Sequence, residues 1–212
     1  MRLIIFGPQG AGKGTQSARI SEKYDIPAVS TGEIFRWAIS GGTALGLKAR
    51  EYVDQGKLVP DELTIGVVLE RLSAKDTLDG FLLDGFPRNL LQAKALNEWL
   101  EERDARLDAA LVIQVPDEVA IHRLAGRRVC LDCGRNYHVD SPPQENWTCD
   151  RCGGKVESRS DDLAEQTIKD RLDLYHGQTE PLKAYYEEVG LLREIEGIGT
   201  PDEVFDRIVA AI

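Results

Sequence analysis

Gly7-Pro8-Gln9-Gly10-Ala11-Gly12-Lys13-Gly14-Thr15 follows a short apolar run, Leu3 to Phe6, and precedes a segment of helical character. Glycines allow positive φ and leave bare N–H groups free to face an anion. A helix N-terminus adds a partial positive charge at the same place. Lys13 stands where its ammonium reaches the outer phosphates of a bound chain. Strand, glycine-rich loop, lysine and helix together describe a cradle for a nucleoside triphosphate, with Gly10, Ala11, Gly12, Lys13, Gly14 and Thr15 as its floor. Gly14 separates the lysine from the hydroxyl of Thr15, so the usual direct Mg²⁺ ligand is absent. The metal is then held by phosphates and water, with a carboxylate beyond them.

The second chemical signal is four cysteines in two pairs, Cys130-Leu131-Asp132-Cys133 and Cys149-Asp150-Arg151-Cys152. Four thiolates at this spacing fit tetrahedral Zn²⁺ in a closed, structural site. Gly134 and Gly153 follow the pairs and permit tight turns. The alternative is two disulfides, which a reducing compartment disfavours. A small segment with little apolar surface gains from a metal the stability its core cannot supply. His122, His138 and His176 are single residues on helices or near the cysteines, and read as solvated or core-edge side chains.

Five apolar runs position these groups. Leu3 to Phe6, Pro27 to Ser30, Phe81 to Asp84, Ala110 to Val115 and Leu191 to Glu196 read as buried parallel strands. Helical segments separate them, which predicts an α/β domain with helices on both faces of a five-stranded sheet. Ser30-x-x-Glu33 and Asp162-x-x-Glu165 look like capping boxes. Thr43 and Asp61 look like helix starts, and Gly56 like a helix end. Ala164, Ile168, Leu172 and Tyr175 form the stripe of a helix running to about Gly177, and a further helix begins near Thr179 and Pro181 and ends at Gly190. Two stretches interrupt the strand–helix rhythm. Residues 30–59 hold two short helices without a strand, and 126–162 form a β-rich insertion carrying every cysteine. The remaining 1–29, 60–125 and 163–212 make the nucleotide-binding core.

The chain has 212 residues, a net charge of −10 and 42% hydrophobic residues. That is enough apolar material for a packed core. The acidic balance argues against non-specific binding to nucleic acid or to an anionic membrane. No apolar run approaches the roughly 18 residues of a spanning helix, and the N-terminus lacks the features of a signal peptide, so a cytoplasmic protein is expected.

Several motifs stand in one order along nearly the whole chain. Gly7 to Gln16 resembles the phosphate loop of adenylate kinases. Ser30-Thr31-Gly32-Glu33-Ile34-Phe35-Arg36 resembles their acceptor helix, and Leu83-Asp84-Gly85-Phe86-Pro87-Arg88 with Gln92 resembles their signature. Gly126-Arg127-Arg128, Arg159-Ser160-Asp161-Asp162 and Lys169-Asp170-Arg171-Leu172 complete the set. The chain is similar to long-form adenylate kinases with a zinc-bearing lid.

That resemblance implies a P-loop fold and the reaction ATP·Mg²⁺ + AMP ⇌ 2 ADP. It makes 30–59 the AMP-binding insertion and 126–162 the lid, and it implies a monomer with small-molecule substrates and no nucleic-acid or membrane partner. Lys13 and the loop amides would hold the donor phosphates, with Arg123 and Arg127 reaching in from the lid edge. Arg36 and Arg88 would grip the acceptor phosphate, and Arg159 and Arg171 would lie between the nucleotides. Asp84 would orient Mg²⁺ through water. Thr31 and Gln92 would read adenine. Lys57, Leu58, Val59, Gly85, Phe86 and Pro87 would line the acceptor pocket, and Asn136, Tyr137 and Gly199 would flank the donor base. Arginine suits these tasks because its planar fork binds two phosphate oxygens and stays charged.

Taken singly, Asp84 also fits the cap of a following helix, Thr31 a plain helix start, and Arg171 a solvated surface charge. Other functions use the same features: a kinase for UMP or CMP, a zinc-ribbon module for nucleic acid, or a slow nucleotide-operated switch. The switch has no use for Arg36, Arg88 and Gln92. Around the cysteines, acidic residues offset the basic ones, against a nucleic-acid role.

Overall fold

The structure, a computed structural model, describes residues 1–55, 57–159, 162 and 164–212. Gly56, Ser160, Asp161 and Leu163 lie outside them, so the helix end expected at Gly56 and the middle of the Arg159–Asp162 motif are not described.

Strands β1 (Arg2–Phe6), β2 (Ala28–Ser30), β3 (Phe81–Asp84), β4 (Ala109–Gln114) and β8 (Leu192–Glu196) form one parallel sheet in the order β2-β3-β1-β4-β8. All five predicted strands are present, with ends shifted by a residue at most. Successive side chains of a strand point to opposite faces, and β1 shows the consequence. Ile4 and Phe6 join one core with Leu83, Val112, Leu96 and Tyr186. Leu3 and Ile5 join a second core with Leu82, Leu111, Ile20 and Ile208 on the other face. The first core is closed by α4 (Asp61–Leu72), α5 (Leu90–Glu101) and α8 (Leu182–Glu188), the second by α1 (Lys13–Tyr24) and α9 (Pro201–Ala211). Parallel strands buried on both faces need no polar alternation, which is why their sequences read as plain apolar runs.

Helices α2 (Thr31–Ser40) and α3 (Ala44–Asp54) follow β2 with no strand between them. Ser30 caps α2 by accepting from the Glu33 amide, and Thr43 caps α3 by accepting from the Gly46 amide. After β4, helix α6 (Asp117–Ala125) leads into a three-stranded antiparallel sheet, β6 (Asn136–His138), β5 (Arg127–Cys130) and β7 (Val156–Ser158), in the order β6-β5-β7. Helix α7 (Glu165–Leu174) then returns to the main sheet.

Three local expectations are corrected. Asp61 is the first residue of α4, behind Pro60, and does not cap it; its carboxylate accepts from Asn89 Nδ2 and Gln92 Nε2 instead. Asp162 does not cap α7 either; Ala164 occupies that position without a side-chain bond. In both cases buried donors from distant segments outcompete the local amides of a helix end. The long helix does not stop at Gly177. It widens into a π turn over Tyr175–Thr179 and continues toward α8. A reciprocal capping box, which the sequence reading missed, opens α9 at Thr200 and Glu203. No helix among the described residues is long and apolar enough to cross a membrane.

Candidate functional site

The loops that leave the carboxyl ends of β1, β3 and β8 converge at one edge of the sheet, where ligands bind in open α/β folds. Between β1 and α1, Gly12 holds a left-handed φ of 94° and serves as the N-cap of α1 without a side chain. The first-turn amides of α1 therefore have no partner from the cap. Gly10 packs so closely on α6 that a Cβ would lie 2.6 Å from the Ala120 carbonyl oxygen. Ala11 is buried in the second core, while Gly14 and Thr15 are exposed at the start of α1.

Lys13 folds back over its own loop. Its Nζ donates to the carbonyls of Gly7 and Pro8, both at 2.8 Å. Burial lowers its pKa to about 8, with Arg88, Arg171 and Arg127 pushing the same way and Asp84 opposing. Asp84 ends β3, and a Cβ on Gly14 would lie 3.8 Å from its Oδ2, so the carboxylate faces the phosphate loop. Burial raises its pKa, against the pull of Lys13 and Arg88. The cap of α5 is Asn89, not Asp84. An oxygen donor in this position fits Mg²⁺ held through water beside phosphates.

Beside the loop lies a solvent-open cleft. It is lined by Thr31, Gly32, Phe35 and Arg36 of α2, by Val53, Lys57, Leu58, Val59 and Thr64, and by Arg88, Gln92, Arg159 and Arg171. The sequence thus brings together eight residues of the expected acceptor site: Thr31, Arg36, Lys57, Leu58, Val59, Arg88, Gln92 and Arg171, with Arg159 as the ninth. Gly85 adjoins them, since a Cβ on it would lie 3.0 Å from Thr31 Oγ1 and 3.1 Å from Arg88 Nη2. Phe86 and Pro87 are buried behind the cleft, Phe86 within the first core.

The polar groups of the cleft are anchored. Thr31 Oγ1 donates to the Gly85 carbonyl at 2.9 Å. Arg88 Nε donates to the same carbonyl at 2.8 Å, its amide donates to Gln92 Oε1 at 2.8 Å, and its carbonyl accepts from Thr179 Oγ1 at 2.8 Å. Gln92 therefore has its oxygen on Arg88 and its nitrogen on Asp61 Oδ1 at 2.7 Å. Burial brings the Arg88 pKa down to about 10, helped by Arg171 and Arg159 and opposed by Asp84.

Arg127 and Arg171 meet at Asp162. Arg127 donates Nε and Nη2 to the two carboxylate oxygens at 2.6 and 2.8 Å, and Arg171 Nη1 donates to Oδ1 at 2.8 Å. Burial lowers the Arg127 pKa and the nearby Arg159 adds to the shift. Arg123, at the end of α6, donates Nη2 to the Gly197 carbonyl at 3.1 Å, next to the loop of Gly199. Asn136 stands over the phosphate loop, its Nδ2 3.9 Å from a Cβ placed on Gly14. The Tyr137 side chain points elsewhere: its hydroxyl donates to Cys149 Sγ at 3.4 Å and accepts from the Asp150 amide at 2.9 Å.

The four cysteine sulfurs lie within 4.8 Å of one another and none is in a disulfide. Cys130 and Cys152 sulfurs are 3.4 Å apart, and those of Cys133 and Cys149 3.6 Å. A disulfide requires about 2.05 Å, whereas the edge of a tetrahedral zinc–thiolate site is about 3.8 Å. Gly134 and Gly153 have φ of 71° and 74° and close the two turns by donating to the Cys130 and Cys149 carbonyls. The cluster is compatible with zinc.

Sequence reasoning missed the roles of Asp162 and Asp61, both taken as caps, and of Thr179. The usable signal for Asp162 was the crowding of arginines itself, because buried like charges demand a counter-charge.

The chain matches the adenylate kinase family profile over residues 5–191. It is 51% identical to the adenylate kinase of Clostridium kluyveri, covering 100% of this chain and 98% of that protein. It is 52% identical to the adenylate kinases of Desulfitobacterium hafniense and Carboxydothermus hydrogenoformans, again over 100% of this chain and 98% and 99% of theirs. A match over most of the chain and full-length identities above one half show that the chain belongs to the adenylate kinase family.

Proposed function

We propose that this chain transfers the terminal phosphoryl group of Mg·ATP to AMP, giving two ADP, and that the residues divide the work as follows. Lys13 and the first-turn amides of α1 hold the donor phosphates. Arg123 and Arg127 approach the donor, while Asn136 and the Gly199 loop flank its base. Arg36 and Arg88 hold the acceptor phosphate, and Arg159 and Arg171 span the gap. Thr31 and Gln92 border the adenine of AMP, with the main chain of Lys57, Leu58, Val59 and Gly85 as the wall.

The nucleophile is a phosphate oxygen, already anionic, so no general base is required. The obstacle is bringing two polyanions together, and fixed cations remove it. Mg²⁺ bound with ATP supplies further charge neutralisation, and Asp84 is the carboxylate placed to orient its water shell. Burial weakens the hold of Lys13, Arg88 and Arg127 on their protons and leaves them mutually repelling. Bound phosphates relieve that repulsion. We further propose that 30–59 and 126–162 act as two covers over the 1–29, 60–125 and 163–212 core, and that Zn²⁺ stiffens the second. Four cysteines suited to metal in a reducing compartment and a net charge of −10, unfavourable to nucleic acid, accord with a cytoplasmic protein acting on small molecules, which we read as a monomer.

The observation that carries this reading is the second cleft: Arg36, Arg88, Arg159 and Arg171 line one pocket with Thr31 and Gln92 beside the phosphate loop. A hydrolase or switch needs no such neighbour. Purified protein mixed with ATP, Mg²⁺ and AMP should form ADP, with UMP and CMP poor acceptors in parallel reactions. ATP hydrolysis without ADP formation from AMP refutes the assignment.

A further inference from the structure

Besides the cysteines, one other group of metal-ligating side chains converges among the described residues: His122, His138 and Asp140. They come from different elements. His122 lies in the last turn of α6 and His138 ends β6. Asp140 sits two residues on, in the turn that main-chain bonds between His138 and Ser141 close. His122 Nε2 is 3.1 Å and His138 Nδ1 3.2 Å from the same oxygen, Asp140 Oδ2. Zinc bound to nitrogen and oxygen at about 2.0–2.1 Å places tetrahedral donors about 3.3 Å apart; both histidine–carboxylate spacings match that, and all three donor atoms lie within 4.8 Å of one another.

Three groups converge on the His138 ring. Nε2 lies 3.5 Å from the His122 carbonyl oxygen, and Nδ1 lies 3.2 Å from both the Asp140 amide nitrogen and Asp140 Oδ2. A metal ion at Nδ1 would leave the Nε2 N–H for that carbonyl. An imidazole that donates its outer N–H to a carbonyl and offers its other nitrogen inward has the orientation of a metal ligand. Gly126, which follows α6, makes room for the ring: a Cβ there would lie 2.1 Å from His138 Nε2.

We propose that His122, His138 and Asp140 form a second metal site, separate from the cysteines, that takes a borderline divalent transition-metal ion such as Zn²⁺ and fastens the end of α6 to the three-stranded sheet. Two imidazoles and one carboxylate suit zinc, nickel or copper better than magnesium or calcium. The His122 and Asp140 side chains are 69% and 67% exposed, so water completes the coordination. None of the three residues has a role in the phosphoryl-transfer reading, and the proposal stands independently of it.

The test is a zinc titration of protein whose cysteine site already holds one equivalent, followed by calorimetry and by the imidazole NMR signals. A second equivalent should bind, shifting the His122 and His138 resonances. His122→Ala and Asp140→Asn should each weaken it roughly tenfold or more while uptake of the first equivalent is retained, and the rise in melting temperature that the second equivalent gives the wild type should be lost. Uptake of one zinc only, or a second uptake indifferent to both substitutions, overturns the proposal.

Discussion

Arg127 grips Asp162 with two parallel hydrogen bonds, at 2.6 and 2.8 Å, across 35 residues of sequence. The Asp162 side chain is 3% exposed and also serves Arg171. It is the counter-charge of a cationic cleft. Asp162→Asn should destabilise the protein by about 3 kcal/mol, the cost of unpairing a buried charge. A mimic joining two adenosines through a polyphosphate should restore more stability to the variant than to the wild type, because its phosphates replace the lost carboxylate. Urea unfolding with and without the mimic measures both effects; equal gains would show that Asp162 does not neutralise these arginines.

Lys13 should take up a proton when phosphates bind. Its pKa near 8 in the free protein rises as anions arrive, so between pH 8 and about 10 binding ATP draws a proton from solution. Calorimetry in buffers of differing ionisation enthalpy should show this uptake near pH 9, and Lys13→Met should abolish it. The same substitution should cut turnover about a hundredfold or more.

Arg88→Ala should lower turnover with AMP to a similar degree while the fold persists, because the main-chain bonds of residue 88 to Gln92 and Thr179 do not need the guanidinium. Full activity in this variant would remove Arg88 from the acceptor site.

Stripping metal from the four cysteines should loosen the small sheet and lower the melting temperature while the main sheet stays folded. The three-strand unit has only a small apolar cluster around Cys130, Cys149 and Val156, and ligation supplies folding free energy. Scanning calorimetry with and without chelator reads this, and identical melts would contradict it.

His176 bridges two helical segments, with Nδ1 2.8 Å from Glu180 and Nε2 3.0 Å from Asp117. The hydrogen bond to Glu180, then that to Asp117, raises its pKa. A raised value means a stabilisation fully present below the unfolded value of about 6.5 and lost as pH rises through the folded one. The stability difference between wild type and His176→Ala should thus be larger at pH 6 than at pH 9. A difference independent of pH would mean that the imidazolium contributes nothing.

Much of the architecture was legible because it depends on local pattern. Parallel strands buried on both faces leave apolar runs, and Ser30 and Thr43 satisfy helix ends with their own hydroxyls. The cysteine cluster was legible from spacing, since two short turns suffice to aim four sulfurs. Asp61 and Asp162 misled because a helix-start pattern is local while their partners, Gln92 and Arg127, arrive from 31 and 35 residues away. The bonds of the Tyr137 hydroxyl to Cys149 and Asp150 were not legible, because only the chain's path decides which neighbour a strand residue faces. The histidines at 122 and 138 looked isolated in sequence and stand with ring centres 5.5 Å apart.

The π turn at Tyr175–Thr179 works like a shim between two lengths of rod. The wider turn takes up a surplus residue on the spot, so Arg171 upstream and Tyr186 downstream can each keep to its own surroundings. Deleting one residue from the regular winding on either side, where nothing absorbs the change, would swing the downstream half by about 100°, carrying Tyr186 out of the interior. At this point of the chain, the number of residues is as much a determinant of structure as their kind.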